Sequence, residues 1–282
     1  MRLVRVIVAA LFAVVLIVTV VFRISVKIDT TRPEITVDTE VIKAKCGAGK
    51  KALLKHVTAT DSKDGDLTDK VFIESISQFI SEGESNITFC VADNDNNVAK
   101  KSVRIVFTDY EAPTLYLKDD LVFSEDSVIN VIGSATVTDK FDGDITNRLS
   151  VVVNPEDDNG KRVSINYKIS NSKGFIYRWT VDAVRVAPYS IDSDYSIDVG
   201  NHLLIVNVGD KKPNFKNKVK SITYKGKPID GGEIKIDDSK LNMSKPGTYD
   251  VWFNLYATEK TTGKYTRVTR ERMIVICEDK NR

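Results

Sequence analysis

Histidine is nearly absent from this chain of 282 residues, which holds only His56 and His202. There is no G-x-S-x-G elbow, no H-E-x-x-H pair and no glycine-rich phosphate loop between a strand and a helix. The common arrangements for nucleophilic, zinc-dependent and phosphoryl chemistry therefore have nothing to build on, and the chain is expected not to be an enzyme. Cysteine is also scarce: Cys46, Cys90 and Cys277 are the three, and none has the short paired spacing of a zinc site. Charge of one sign is missing as well. The 41 basic and 39 acidic residues leave a formal charge of +2, too even for the positive field that a phosphate backbone demands, so no nucleic-acid partner is expected. Beyond the first residues there is no second long apolar run and no stretch with convincing helical periodicity.

The one long apolar run is Val6 to Phe22, 17 residues in which Thr19 is the only hydroxyl. As a helix it would span roughly 25 Å, enough for a bilayer. A cleaved signal peptide is the competing reading, but the run exceeds the usual signal core of about 7 to 15 residues. The residues that follow, Phe22-Arg23-Ile24-Ser25-Val26-Lys27, offer no small-residue cleavage site and no cysteine for a lipid. A retained single-pass anchor is expected, with a short cytoplasmic N-terminus and an extracytoplasmic body. Arg2 and Arg5 precede the run while Arg23 and Lys27 follow it, so orientation rests on the position of the body rather than on flanking charge.

The body repeats itself. The eight-residue block Asp61-Ser62-Lys63-Asp64-Gly65-Asp66-Leu67-Thr68 returns as Asp139-Lys140-Phe141-Asp142-Gly143-Asp144-Ile145-Thr146. Each copy is preceded by an Asp four residues ahead of a Pro, Asp29 before Pro33 and Asp109 before Pro113, which sets a module length of about 80 residues. Within each module, segments such as Ile87-Thr88-Phe89-Cys90-Val91 and Ile165-Asn166-Tyr167-Lys168-Ile169 alternate like half-buried strands separated by turn residues. The expected class is all-β, a tandem of small sandwiches after one transmembrane helix. The expected division is 1–28 for the tip and anchor, 29–108 for module 1, 109–186 for module 2 and 187–282 for a divergent module 3.

These motifs resemble the bacterial immunoglobulin-like repeats of surface proteins, whose modules open with D-x-x-x-P, carry A-x-D-x-x-D-G-D-[IL]-T and close with Y-x-v-x-D-x-x-G-N-x-a. Module 1 matches at Asp29 to Pro33, Ala59, Asp61 to Thr68, Phe89, Val91, Asp93, Asn97 and Ala99. Module 2 keeps Asp109 to Pro113, Asp139 to Thr146 and Tyr167, but has Asn171-Ser172-Lys173-Gly174 where the family has its Asp and Gly-Asn turn. The third segment lacks the block, and only Gly231-Gly232, the strand-like Glu233 to Ile236 and Lys245 to Phe253 look like the closing half of such a module. The resemblance implies immunoglobulin-like sandwiches and a surface location rather than a particular activity.

In an immunoglobulin-like topology the loop bearing Asp61, Asp64 and Asp66 lies beside the loop bearing Asp93 and Asp95. Five carboxylates at one tip would suit Ca²⁺, a hard cation with six to eight oxygen ligands; position twelve counted from Asp61 is Phe72, so the loop is not an EF-hand. The competing reading is turn chemistry, since Asp and Gly are what tight turns need. In the second copy Asp139, Asp142 and Asp144 are expected to face the linker residues Asp109 and Glu111, an arrangement resembling cadherin interdomain calcium sites. No cofactor is certain, and calcium is the candidate.

Superposing the copies from Pro33 and Pro113, with a two-residue gap after the first cysteine, sets Cys46 over Asp126 and Cys90 over Lys168. Two thiols stand where the other copy has opposite charges, which points to cross-strand neighbours and a Cys46–Cys90 disulfide, with unpaired thiols as the alternative. Cys277 is expected to be a buried strand residue. Lys211, Lys212, Lys216, Lys218, Lys220, Lys225 and Lys227 form the one basic run, a candidate contact for a protein or a cell-envelope polymer if it is not a solvated face. Strand alternation puts Trp252 opposite Tyr249, Val251 and Phe253, as the aromatic most open to a ligand. The expected function is a membrane-anchored, non-catalytic adhesion or binding stalk. The alternative is an accessory subunit of an envelope assembly with module 3 as its docking domain.

Overall fold

A computed structural model of the protein describes residues 2–25, 30–125, 127–131, 133–155, 161–186, 194–260 and 262–279. Asp29 and Asp126 lie outside these residues. The chain is all-β after one N-terminal helix, α1 (Arg2–Ser25). Within α1, Leu3–Phe22 is long and apolar enough to cross a membrane, and none of it is buried against the rest of the protein. The chain divides into two compact units, Met1–Asp109 and Tyr110–Arg282.

Module 1 belongs to the first unit. Its strands are β1 (Glu34–Val37), β2 (Val41–Ala44), β3 (Val57–Asp61), β4 (Gly65–Asp66), β5 (Phe72–Ile76), β6 (Glu84–Ala92) and β7 (Val98–Phe107), and a five-residue helix α2 (Lys50–Leu54) sits between β2 and β3. They form two sheets, β1-β3-β4 and β2-β7-β6-β5. Period-two alternation explains the core: β3 turns Val57, Ala59 and Asp61 inward, and β6 buries Ile87, Phe89 and Val91 completely. After β1 the chain crosses to the opposite sheet, where β2 pairs parallel with β7 while the other pairings are antiparallel.

Module 2 repeats this order with β8 (Thr114–Leu117), β9 (Val122–Ser124), β10 (Ala135–Asp139), β11 (Gly143–Asp144), β12 (Ser150–Pro155), β13 (Arg162–Ser170) and β14 (Ile176–Val186). Module 3 has β15 (Tyr195–Asp198), β16 (Leu203–Asn207), β17 (Ser221–Tyr224), β18 (Lys227–Pro228), β19 (Glu233–Asp237), β20 (Gly247–Thr258) and β21 (Tyr265–Glu278). Although it lacks the repeated Asp-Gly-Asp block, module 3 has the same topology: a three-stranded sheet β15-β17-β18 and a four-stranded sheet β16-β21-β20-β19 with β16 parallel to β21.

Modules 2 and 3 are packed into one unit because β21 serves both. Its Met273 and Val275 join the core of module 3, while Ile274 and Ile276, with Leu203, join the core of module 2. A strand covered on both faces reads as an unbroken apolar run, which accounts for Met273 to Cys277. At the module boundary the N–H of Leu117 donates to Asn201 Oδ1 at 2.9 Å, and the N–H of His202 donates to the Leu117 carbonyl at 3.0 Å.

Beside this run Arg272 is completely buried. Its Nε and Nη2 donate to Asp250 Oδ1 at 2.8 and 2.6 Å, and its Nη1 donates to the Asp182 carbonyl at 2.7 Å. Arg162 completes the network from module 2, with Nη2 on Asp250 Oδ2 at 2.7 Å and Nη1 on Asp182 Oδ2 at 3.1 Å. Burial opposes the charge on Asp250, yet Arg272 and Arg162 hold its carboxyl below the usual range. Next to it, burial pushes the Glu271 carboxyl up to about 8, helped by Asp120, Asp119 and Asp198.

Arg272→Ala removes one partner and leaves Asp250 without its main counter-charge, so it is expected to destabilise the second unit by about 3–5 kcal/mol. Thermal unfolding of the full chain reads this; a wild-type melting profile would show that the network contributes nothing. Folded Glu271 keeps its proton between the free-glutamate range near 4.3 and about 8. The stability it favours is complete below that window and is lost as pH rises through it. Glu271→Gln is therefore expected to melt higher than wild type at pH 8 and to flatten the decline between pH 5 and 8.

Candidate metal centre in module 1

The repeated block is first a turn. Asp61 Oδ1 accepts the N–H groups of Lys63 and Asp64 at 2.8 and 2.9 Å, and Asp139 Oδ1 accepts those of Phe141 and Asp142 at 2.7 and 3.0 Å. Gly65 and Gly143 sit at φ +75° and +69°, where a side chain would be strained. Asp66 and Asp144 each accept the N–H two residues on, from Thr68 and Thr146, which opens a short 3₁₀ turn in both copies. The hydroxyls of Thr68 and Thr146 accept the N–H groups of Ala59 and Val137, and Leu67 and Ile145 are buried beneath. The first and third aspartates, the glycine, the aliphatic residue and the threonine of the D-x-x-D-G-D-[IL]-T signature are thus accounted for by the turn in both modules, apart from one oxygen.

That oxygen is the second one of the first aspartate. In module 2, Asp139 Oδ2 accepts the Tyr110 hydroxyl at 3.1 Å and the Asn171 amide at 3.3 Å. In module 1 the position of Asn171 is taken by Asp93, which brings an acceptor instead of a donor. Asp61 Oδ2 is buried with no hydrogen-bond partner, in a residue only 8% exposed. One ligand oxygen each from Asp61, Asp64 and Asp93 lies within 4.8 Å of the others, the only such acid group among the described residues. The loops are held in place around them: Asp93 accepts the N–H and side-chain amide of Asn97, both at 2.7 Å, and Asp64 accepts those of Asn94 at 2.7 and 2.8 Å. The hydrogen bond from the Asn94 backbone, offset in part by desolvation, leaves the Asp64 carboxyl below its ordinary range.

Three carboxylates with no imidazole or thiolate suit a hard cation, and Asp64 is open enough for water to complete the shell. The five carboxylates expected at this tip reduce to three. Asp66 is spent on its turn, and Asp95 pairs with the Lys63 ammonium. In the second copy the three carboxylates are each engaged within their own module. Asp139 is filled by donors, Asp142 accepts Arg148 at 2.8 Å and the Ser172 N–H at 2.6 Å, Asp144 is in its turn, and Asp109 accepts the Cys46 N–H at 2.7 Å. Glu111 joins no acid group among the described residues.

No protein-family model and no curated protein matches the sequence. Among solved structures, the carbohydrate-binding module 51 and INT domains of Clostridium perfringens ZmpB, in complex with GlcNAc, align at 16% identity over 54% of this chain with a TM-score of 0.23. This chain spans about 41% of that one. The protocadherin gammaB4 extracellular domain aligns at 9% identity over 88% of this chain and 50% of its own, TM-score 0.20. A Ca²⁺-stabilized adhesin with which an Antarctic bacterium binds ice aligns at 11% identity over 90% and 75%, TM-score 0.19.

The expected Cys46–Cys90 disulfide is overturned. Strand β7 separates β2 from β6, and the register sets Ala44 beside Phe107 but Cys90 beside Lys100. Ala44, two residues before Cys46, thus lies roughly 23 Å from the level of Cys90 along the strand direction at about 3.3 Å per residue, and Cys46 is held beyond it by its N–H on Asp109, against the 7 Å or so that a disulfide tolerates. Lys168 is in register with Ser150 and Arg178, and its expected partner Asp126 lies outside the described residues. Cys277 is a buried strand residue, as expected, and burial pushes its thiol up.

The lysine run is spread over successive segments of module 3. Lys211 and Lys212 precede the 3₁₀ turn Phe215–Lys218 that carries Lys216 and Lys218, Lys220 lies against Gly200, and Lys225 and Lys227 are on the β17–β18 hairpin. Lys212 pairs with Asp238 at 2.7 Å and Lys225 with Asp194 at 3.5 Å. Trp252 is half-buried, with the Arg270 guanidinium 4.3 Å from its ring centre, so it is no open platform. His56 binds Asp38 at 2.8 Å, and buried His202 meets the Arg272 carbonyl at 2.8 Å. Arg272, Asp250 and Arg162 were not anticipated; the only trace of them was an arginine directly ahead of an apolar strand.

Asp93→Asn restores one of the two donors that module 2 uses, by pointing an amide at Asp61 Oδ2. In chelator it is expected to raise the unfolding midpoint of the first unit, because satisfying a buried acceptor recovers about 1–3 kcal/mol. Millimolar Ca²⁺ should then raise the wild-type midpoint and leave the variant unmoved. A wild type indifferent to Ca²⁺, or a variant that still responds, would return the trio to plain turn chemistry.

Proposed function

We propose that this chain is a membrane-anchored, non-catalytic protein of the bacterial cell surface, whose immunoglobulin-like modules work outside the cytoplasmic membrane in adhesion or binding. The observation that carries the reading is α1: twenty residues, Leu3–Phe22, too apolar for water and covered by nothing among the described residues, ahead of three β-sandwich modules. Exposed apolar surface of that extent calls for lipid. The motif resemblance to bacterial surface repeats supports the same side of the membrane, and partners are a protein or an envelope polymer.

In this reading module 1 takes up Ca²⁺ through Asp61, Asp64 and Asp93. Calcium is abundant outside cells, and modest affinity is sufficient there. The ion would tie the Asp61 loop to the Asp93 loop, and module 2 achieves the same closure with Tyr110 and Asn171.

The test is fractionation of cells carrying a C-terminal tag. The chain is expected to stay with membranes after alkaline carbonate washing and, in spheroplasts, to lose its tag to added protease. Release by carbonate, or a tag that survives protease until the membrane is broken, would refute the anchor or the orientation respectively.

A further inference from the structure

Module 3 carries a cleft of about 490 Å³ at one end, open between its two sheets and walled by Tyr195, Tyr224 and Tyr265. A volume of this size falls in the range of small-ligand pockets, about 300–1,000 Å³. The three rings are held from separate strands. Tyr195 donates its hydroxyl to the Thr258 carbonyl at 3.3 Å, and its ring lies 4.7 Å from that of Tyr224. Tyr265 is 58% exposed, yet it is fixed by its hydroxyl on Glu233 Oε2 at 3.0 Å and by stacking on Tyr256 at 6.2 Å. Tyr195 is buried and Tyr224 half-buried, so Tyr265 is the open ring, and an aromatic surface immobilised in advance loses little entropy on binding.

The floor is bare backbone at Gly231 and Gly232. Gly232 sits at φ +131°, and a Cβ there would meet Leu255 Cδ1 at 2.7 Å, whereas the space over Gly231 is open. Lys260 stands at the rim, and the β17–β18 hairpin beside it carries Lys225 and Lys227, the end of the basic run.

We infer that this cleft binds a pyranose unit of a glycan, its C–H face on Tyr265 and Tyr224 and an acidic substituent toward Lys260. A sugar ring has one apolar face and an edge of hydroxyls, which matches phenol rings alternating with hydroxyls, backbone groups and one ammonium. An aliphatic chain would cover the Lys260 ammonium without pairing it, a desolvation cost that a sugar carboxylate avoids. An ion alone would not use the rings. The inference gives a ligand class to the surface role proposed above, and rests on it only for the availability of glycans.

The test is binding of the full chain, in detergent micelles, to an array of neutral, amino and acidic glycans. Binding is expected to favour glycans with uronic or sialic acid residues, to fall at least tenfold in Tyr265→Ala, and to be largely retained in Tyr265→Phe. Lys260→Glu should abolish the preference for acidic glycans. Tyr265 is mostly exposed, so the alanine variant is expected to melt with wild type, and Lys260→Glu leaves the wall intact if it does not. No glycan bound above background, or binding indifferent to both variants, would overturn the inference. Neither result depends on membrane orientation, which the protease experiment reads separately.

Discussion

The second unit depends on one buried cation. Arg272 has no exposed surface, and each of its donor atoms meets an acceptor within the unit: the Asp250 carboxylate on its own module and backbone carbonyls of module 2. A guanidinium taken out of water is stable only where its geometry is met in full, because desolvation otherwise exceeds the Coulombic return. Its planar fork therefore fixes where β20, β21 and the Asp182 segment of β14 stand relative to one another. The apolar face of Ile274 and Ile276 then has a single place to go, the core of module 2. Hydrophobic burial supplies the attraction between these modules, and the Arg272–Asp250–Arg162 network supplies the register.

The two copies of the repeated block show how similar turns can serve different chemistry. Both share the first oxygen of the leading aspartate, the glycine and the threonine, since those groups build the turn itself. They differ in what faces the second oxygen and in the partners of the second aspartate, Asn94 for Asp64 and Ser172 with Arg148 for Asp142. A tyrosine hydroxyl and an asparagine amide in module 2 close the loops with protein donors, while an aspartate in module 1 leaves three carboxylates and an unpartnered oxygen. A hydroxyl and an amide lost, and one carboxylate gained, separate a closed loop pair from one that holds an unpartnered buried oxygen.

Much of this could be read from the sequence where it depends on local rules. Alternation along Ile87 to Val91 announced a half-buried strand, Asp61 to Thr68 announced a turn, and Val6 to Phe22 announced a membrane-length helix. The contrast between Asp93 and Asn171 was also visible, though its meaning was not, because the oxygen it faces belongs to another loop. The cysteine pairing failed for a related reason. Superposing the copies aligned Cys46 and Cys90 with opposite charges, but whether they touch is set by the parallel pairing of β2 with β7, a long-range choice with no local signature.

The sequence by itself determined the composition limits, the apolar N-terminal segment, the strand periodicity and the turn chemistry of the repeated block, all of which act between residues a few positions apart. Only the tertiary structure decided that module 3 shares the topology of its neighbours without sharing their motif, and that β21 is buried on both faces. It also decided that Arg272 finds Asp250, that the lysine run is dispersed, and that three tyrosines meet at one cleft. Those outcomes depend on which strands pair and which faces cover each other, and that is settled by the summed burial of residues far apart in the chain.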